Sequence, residues 1–549
     1  MYACPNCGSN IRFDPATQKM KCSYCDTMIS PHEYMSAKGA DEEKGVDLAA
    51  DEYEVTYYTC PQCGGELITE DNTAATFCSY CGASTILEMR VGKEKKPDYI
   101  IPFKKTKEEC AAEYKKVLRR AIFAPSDLRK DETIERFRGI YMPYWIYDLK
   151  SGGDLSANGD VSTRRGDYIY TKHYKVSSNV DTDYSGISYD ASSSFEDRLS
   201  EAIAPFDLKE SDYFTSSYLS GFYADTSDVD PKIYNDDAKA LVGRDIADKV
   251  YKEKAYSRHG VSLADVATSA EKRPTSINTK LGMFPVWFLS NQHGDRVSYA
   301  VVNGQTGKVA MDLPIDIKKY FLGVVALSIP IFLSIVLTGF VITPKLLVLI
   351  TMAISIVVLV LADSQGNALF VRELLYDDKG YNSKRPGGVD PEVQKQVDAG
   401  ERLRKVKAKI KPKSGRVSVG SFVAIGIFAF SFGRLMGPVV FVLGIIGLVI
   451  YIIVSVTANK SVPKDRIIIK APVSKKVGTS IFPIISMAQC GLVLLINPFH
   501  DAYYYGTAIL GMVMTGFAVA RLVAKHNKLT SRKLPQFNKR GGEEHEFDY

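Results

Sequence analysis

Tryptophan, histidine and cysteine are scarce, with 2, 7 and 10 in 549 residues. Eight of the ten cysteines fall within the first 81 residues, leaving only Cys110 and Cys490 elsewhere. That distribution excludes a disulfide-stapled secreted protein. No Gly-x-x-x-x-Gly-Lys-Ser/Thr sequence occurs, so the phosphate cradle of a P-loop helicase is missing. Met1-Tyr2-Ala3-Cys4-Pro5 has neither the basic nor the apolar region of a signal peptide, and the N-terminal half is expected to stay in a reducing compartment. His173, His259 and His293 stand apart from any serine or cysteine nucleophile signature, and no enzyme activity is expected. Asp181-Thr182-Asp183 and Asp225–Asp230 lack the glycine and terminal glutamate of a calcium-binding EF-hand, and read as solvated loops.

A strong overall charge is missing too, since 69 Lys and Arg against 63 Asp and Glu leave +6. The halves differ sharply. Residues 1–319 hold 41 basic and 49 acidic residues, a net of −8, and residues 320–549 hold 28 and 14, a net of +14. At 549 residues the chain is too long for one core, so several domains are expected.

The second half carries six apolar stretches, at approximately 320–342, 346–363, 417–434, 437–457, 479–497 and 503–523. Each is near the ~20 residues that cross a hydrocarbon core. They read as an α-helical membrane domain of six spans in three hairpins (319–363, 417–457 and 479–525). Loops 364–416 and 458–478 and the segment from Arg521 hold 26 basic residues, against Lys345 and Arg434 in the hairpin turns. By the positive-inside rule the loops, the tail 526–549 and the N-terminal half face the cytoplasm of a plasma membrane, with both termini inside. The spans hold scattered Ser and Thr, with Gln489 and Cys490, and no ionisable group near a midplane. Loop 364–416 ends in Arg402, Arg404, Lys405, Lys407, Lys409, Lys411, Lys413 and Arg416. This run reads as a topology signal that also lies against anionic headgroups.

The first half opens with a duplication. Cys4-Pro5-Asn6-Cys7 and Cys22-Ser23-Tyr24-Cys25 recur 56 residues later as Cys60-Pro61-Gln62-Cys63 and Cys78-Ser79-Tyr80-Cys81. Each Cys-x-x-Cys makes a tight knuckle that aims two thiolates at one ion. Gly8, Gly64 and Gly82 suit the positive φ that follows, and Asp26 stands in the fourth such place. Four thiolates close a tetrahedral Zn²⁺ with no position left for water, so two structural zinc ions are expected. Ile11–Phe13 and Lys19–Lys21 are predicted to flank a turn, as are Glu66–Thr69 and Ala75–Phe77. The units read as zinc ribbon 1 at 1–35, an acidic linker at 36–56 and zinc ribbon 2 at 57–97. Residues 1–97 hold 9 basic and 15 acidic residues, the wrong sign for nucleic acid.

Residues 98–318 alternate helical and strand patterns and read as an α+β domain. Thr106-Lys107-Glu108-Glu109 is a capping box opening a helix to about Arg120, and a second helix is predicted over Ser126–Phe137. Strands are predicted at Tyr141–Leu149, Asp167–Val176, Met283–Ser290 and Arg296–Val302, with helices near Phe195–Ala204 and Asp236–Tyr256. The two tryptophans lie in similar runs, Tyr141-Met142-Pro143-Tyr144-Trp145 and Met283-Phe284-Pro285-Val286-Trp287. Their spacing of 142 residues is consistent with a duplicated domain having two equivalent cores.

The ribbons, Ile101-Pro102-Phe103, Tyr141-Met142-Pro143-Tyr144-Trp145 and the later apolar helices together resemble a bacterial membrane-protein family. Its members are often labelled TFIIB-type zinc-ribbon proteins and are found with SPFH (flotillin-like) and PspA-like phage-shock proteins. The resemblance extends from Met1 to about residue 360, and implies a membrane-organising or membrane-stress scaffold with such proteins as partners. The expectation is an integral membrane adaptor that binds lipid and protein, with homo-oligomers possible and no nucleic acid. The alternatives are a transporter or channel component gated by the cytoplasmic domain and a membrane-tethered nucleic-acid regulator.

Overall fold

The structure is a computed structural model and describes residues 2–39, 52–69, 78–83, 88–252, 255–273, 275–337, 342–373, 378–383 and 473–535. Two long strands form the axis of the N-terminal half. Arg138–Ser151 and Thr275–His293 pair antiparallel, with Met142 opposite Phe284 and Tyr141 opposite Pro285. Their central parts, 139–147 and 281–289, read as near-continuous apolar and aromatic runs because both faces of the sheet are covered there. Every residue from Gly139 to Tyr147 is buried. Alternate side chains serve opposite faces. Ile140, Met142, Tyr144 and Ile146 meet Phe284, Val286 and Phe288 in one core. On the other face Tyr141, Met283 and Trp287 share a second core, and Trp145, Tyr147 and Leu149 share a third.

The two tryptophans thus anchor different cores. Trp145 Nε1 donates to the Val229 carbonyl at 2.8 Å, and Trp287 Nε1 donates to the Lys105 carbonyl at 2.9 Å. Flanking strands follow the same local twofold relation. Tyr99–Ile100 lies parallel beside Gly282 and Met283, and Tyr223–Ala224 lies parallel beside Ile140 and Tyr141. The sheet continues from Tyr223–Ala224 through Glu66–Ile68 and Glu52–Thr59 to Glu88–Lys95. Thr182–Asp190 pairs with the Trp145 strand, and Arg296–Asn303 with the Trp287 strand.

The capping box forms as expected: Thr106 Oγ1 accepts from the Glu109 amide at 3.3 Å, and the Glu109 carboxylate accepts from the Thr106 amide at 2.9 Å. The helix expected over Ser126–Phe137 does not. Ser126–Arg129 is a 3₁₀ turn, Lys130 is extended at ψ 140°, and Asp131–Ile134 makes one short turn. Leu128 and Ile134 each reach the core from their own turn, so no continuous helical face is needed. The expected linker is also shorter, because helix Pro31–Gly39 and strand Glu52–Thr59 take residues from both of its ends.

The ribbons are not modules standing apart. Ile68 of the second pairs with Ala224, which joins its strands to the central sheet. The first forms the expected hairpin, Ile11–Asp14 with Lys19–Cys22, and docks beside Trp287. The Phe13 amide donates to the Ser220 carbonyl at 3.2 Å, Ser220 Oγ donates to the Ile11 carbonyl at 2.8 Å, and Gln18 Nε2 donates to the Phe103 carbonyl at 2.7 Å. A ribbon this small cannot cover its own apolar side, so Tyr2, Ile11 and Phe13 are buried against the domain.

In the second half, two helical segments are long and apolar enough to cross a membrane among the described residues, Pro344–Phe370 and Asp501–Leu529. A shorter apolar segment, Ser480–Ile496, ends helix Val473–Ile496, and an apolar helix covers Ile317–Leu337. Six spans are therefore not carried by the structure. Ser480–Ile496 reaches only about 26 Å at 1.5 Å per residue, short of a core of about 30 Å. The expected hairpin 417–457 and the basic run Arg402–Arg416 lie outside the described residues. The loop expected from residue 364 begins later, because the helix that starts at Pro344 continues to Glu373.

The scattered hydroxyls of these helices meet at one level. Ser355 Oγ lies 2.8 Å from Ser486 Oγ and 3.0 Å from Thr515 Oγ1, joining the helices Pro344–Glu373, Val473–Ile496 and Asp501–Leu529. Gly511 admits this approach, since a Cβ there would stand 2.7 Å from Thr351 Cγ2 and 2.9 Å from Ser486 Oγ. Small residues and hydroxyls are the usual means of bringing apolar helices together.

Candidate metal centres and the joint to the apolar helices

All eight ribbon cysteines come together as two groups of four, Cys4, Cys7, Cys22 and Cys25, and Cys60, Cys63, Cys78 and Cys81. Within each group every sulfur lies within 4.8 Å of the others, and each group could hold a metal ion. Cys4 and Cys25 sulfurs are 3.6 Å apart, as are Cys7 and Cys22; Cys60 and Cys81 are 3.8 Å apart and Cys63 and Cys78 3.7 Å. A tetrahedral ion with metal–sulfur bonds of about 2.3 Å places its sulfurs about 3.8 Å apart, so the donor set fits.

The knuckles repeat one backbone device. The Gly8 amide donates to the Cys4 carbonyl, Asp26 to Cys22, Gly64 to Cys60 and Gly82 to Cys78, at 2.7–3.1 Å. The residue that turns has φ near +73°, +54°, +71° and +76° in the same order, so Asp26 adopts the left-handed conformation that glycine takes elsewhere. The Thr27 hydroxyl draws the Cys25 thiol down to about 6. In the second group, hydrogen bonding with Cys63 drives Cys60 far down, and hydrogen bonding with Cys60 pushes Cys63 and Cys78 up. A dication resolves that conflict by accepting four thiolates at once.

Other residues singled out in the sequence are structural. Asp225 is buried, not solvated: its carboxylate accepts from Ser192 Oγ and the Thr226 amide. Asp230 accepts from the Lys232 amide at 2.8 Å and caps a 3₁₀ turn. His173 Nδ1 lies 2.7 Å from Asp160 on an exposed hairpin. Cys110 packs in the Trp287 core, as its place on a helix face implies.

A buried ionic joint has no signature in the sequence. Arg372, near the end of helix Pro344–Glu373, lies 3.2 Å from Asp312 and 3.6 Å from Glu196, and Arg198 meets the same two carboxylates at 2.7 and 3.2 Å. Asp312 is 3% exposed and Glu196 5%. Burial alone would raise the Glu196 carboxyl, but the charges of Arg372 and Arg198 hold it below the usual carboxylate range. Nearby, burial and then the charge of Asp197 hold Asp190 and Asp378 well above that range. Past helix Asp501–Leu529, Arg532 and Lys533 pair with Val297 and Arg296, adding a strand to the domain's sheet. The Arg532 guanidinium stacks 4.7 Å from the Tyr299 ring. The Asn527 side chain accepts from the Ile315 amide at 2.7 Å and donates to its carbonyl at 2.8 Å. These residues span positions 196 to 533, which is why no local pattern marks them.

No family model matches the chain, and no solved structure matches it. A search of curated proteins finds similarity to the "Uncharacterized protein YdjG" of Bacillus subtilis (strain 168), 30% identical over 327 residues. The match covers 57% of this chain and 90% of that protein. At that identity and coverage, the chain belongs to the YdjG family.

Proposed function

We propose that the chain is a non-enzymatic scaffold of a bacterial plasma membrane, whose ribbons and adjoining domain recruit protein partners. The observation that carries this reading is mechanical continuity from the cysteine groups to the apolar helices. The second ribbon shares the central sheet, the same sheet takes up Arg532 and Lys533, and Arg372 is bound into the domain by buried ion pairs. A ribbon that shares its sheet with the domain, and helices tied to that domain by ion pairs, are suited to holding a partner at a fixed height.

In this reading each ribbon holds one structural Zn²⁺, closed to substrate by its four thiolates. The apolar helices of the second half hold the chain in the membrane with both termini in the cytoplasm, a reading supported by the 26-to-2 distribution of basic residues over its loops. Residues Arg402–Arg416 bind anionic lipid at about 1 kcal/mol per basic residue. The resemblance stated above supplies the partner class, SPFH or PspA-like proteins.

The knuckle of the first ribbon offers a docking point, because Tyr24 is 80% exposed while its counterpart Tyr80 is fully buried. Deleting residues 1–97 would strip Ile11, Phe13, Tyr57 and Ile68 from the Trp287 core, so it would not test docking cleanly. Purification of the full chain from native membranes is the test, with the Tyr24→Asp variant beside it. Copurified SPFH or PspA-like protein, lost in the variant, supports the reading. Neither protein copurifying, with ion flux in reconstituted vesicles, would replace it with the channel reading, which the Arg372 joint also favours. Copurified DNA or RNA would favour a membrane-tethered nucleic-acid regulator.

A further inference from the structure

Asp154–Arg165 and Tyr168–Asn179 form a two-stranded antiparallel sheet of their own, twelve residues on each strand and about 40 Å long at 3.4 Å per residue. The base is fixed to the domain. Leu155 and Ala157 are buried, Tyr256 Oη donates to the Leu155 carbonyl at 3.1 Å, and Ser269 Oγ donates to the Ser156 carbonyl at 2.6 Å. Gly159 and Gly260 let the two backbones touch, since a Cβ on either would run into the other segment.

The outer part is different. Every residue from Ser162 to Lys172 is exposed, on both faces and both edges. It still carries large apolar side chains: Tyr168 is 73% exposed, Ile169 70% and Tyr170 58%. An isolated two-stranded hairpin is marginal in water, and open edges are where other chains add strands.

The register sorts the side chains. Arg165 lies opposite Tyr168, Thr163 opposite Tyr170 and Val161 opposite Lys172, so one face shows two tyrosines between two cations. Arg164 and Ile169 share the other face. Arg165 and Lys172 make no ion pair among the described residues. From Val161 to Lys172 three cations face only Asp167, a net of +2, on a half-chain of net −8.

The geometry points to the outer hairpin Val161–Lys172 as a docking arm for an extended acidic segment of a partner protein. That segment adds a strand to the open edge, places carboxylates against Arg164, Arg165 and Lys172, and covers Tyr168 and Tyr170. A second copy of the arm fits poorly, because like faces would set Arg165 and Lys172 against their own kind. The arm also springs from the sheet end where Ser151 pairs with Thr275, eighteen residues along the strand from His293. The junction with the apolar helices lies at the other end, where Arg296 donates to the Ser531 carbonyl. This goes beyond the scaffold reading, since it names a second contact that does not involve the ribbons.

The test places a photoreactive amino acid at Tyr168 of the full chain in native membranes, followed by irradiation and mass spectrometry of the adducts. The expected result is a protein adduct mapping to an acidic segment, falling about tenfold in an R164E/R165E/K172E variant. All three side chains are exposed, and an unchanged melting transition would confirm the fold. A Y168-labelled chain that also carries Y170A should lose part of the adduct without any change of charge. Lipid adducts, adducts confined to a second copy, adducts indifferent to charge reversal, or none at all would overturn the arm. Retention of copurified SPFH or PspA-like protein in the charge-reversed variant would leave the ribbon reading standing while testing the arm alone.

Discussion

The two four-cysteine groups share one motif but not one setting. In the first, Cys7 is exposed, Cys25 is half-buried and Tyr24 stands in solvent. In the second all four cysteines are buried, and Tyr80 packs edge-on to Phe288 at 6.1 Å while its carbonyl accepts from Tyr299 Oη at 2.7 Å. The same Ser-Tyr knuckle therefore presents an aromatic ring in one copy and buries it in the other. A metal-binding motif says which atoms converge. Its neighbours decide whether the result is a surface or part of a core.

The largest expected effect follows from that contrast. Structural zinc contributes about 10–16 kcal/mol to small ribbons, more than the about 5–15 kcal/mol that holds a typical domain together. Cys63→Ser should therefore unfold the central domain as well as its ribbon. Cys7→Ser should release residues 2–39, seen as new proteolysis there, with the domain's melting transition lowered by the loss of Tyr2, Ile11 and Phe13 from the Trp287 core but still cooperative. Equal effects would mean that the second group is no more integral than the first. Zinc content should be two per chain by elemental analysis, falling to about one in either variant.

The joint to the apolar helices offers the next contrast, since its carboxylates face Arg372 and Arg198 while Asp190 and Asp378 are raised by burial and by the charge of Asp197. Arg372→Ala leaves two buried carboxylates with one cation, and should cost about 3–5 kcal/mol in thermal or denaturant unfolding. A loss below ~1 kcal/mol would show that the joint is solvated and cannot couple the two halves.

Asp225 supplies a pH test of the core around the second group. Burial pushes its carboxyl up to about 7 from an ordinary value of 3.8. The folded chain thus holds this proton more tightly than the unfolded chain. Its contribution is full below the ordinary value and is lost as pH rises from about 4 to about 7. Asp225→Asn should flatten that part of the stability profile, and an unchanged slope would place the titration elsewhere.

The smallest effect is expected among the apolar helices. Ser355→Ala removes hydroxyl contacts to Ser486 and Thr515, and should weaken helix packing by about 0.6–2 kcal/mol. Gly511→Leu should do more, because its side chain has no room beside Thr351 and Ser486. Comparing the two separates loss of hydrogen bonds from loss of close approach.

Much was legible because it is local. Eight cysteines at repeated spacing announced two four-ligand groups, and Thr106 with Glu109 announced a cap, since both depend on residues a few positions apart. The 142-residue offset between the tryptophan runs also proved informative, as it relates the registers on either side of the central strand pair. The helix expected over Ser126–Phe137 does not form because the break at Lys130 lets Leu128 and Ile134 each meet the core from its own turn, which depends on the packing around them.

By itself the sequence determined the ligand set, the caps, the apolar stretches and the asymmetry of charge, because each follows from side-chain type and spacing along the chain. Only the tertiary structure decided that the second ribbon would continue the central sheet, that Asp225 would be buried, and that Arg372 would find Glu196 and Asp312. These pairings join residues tens to hundreds of positions apart. Their energies come from burial and from charges brought together out of water, which no short window of sequence contains.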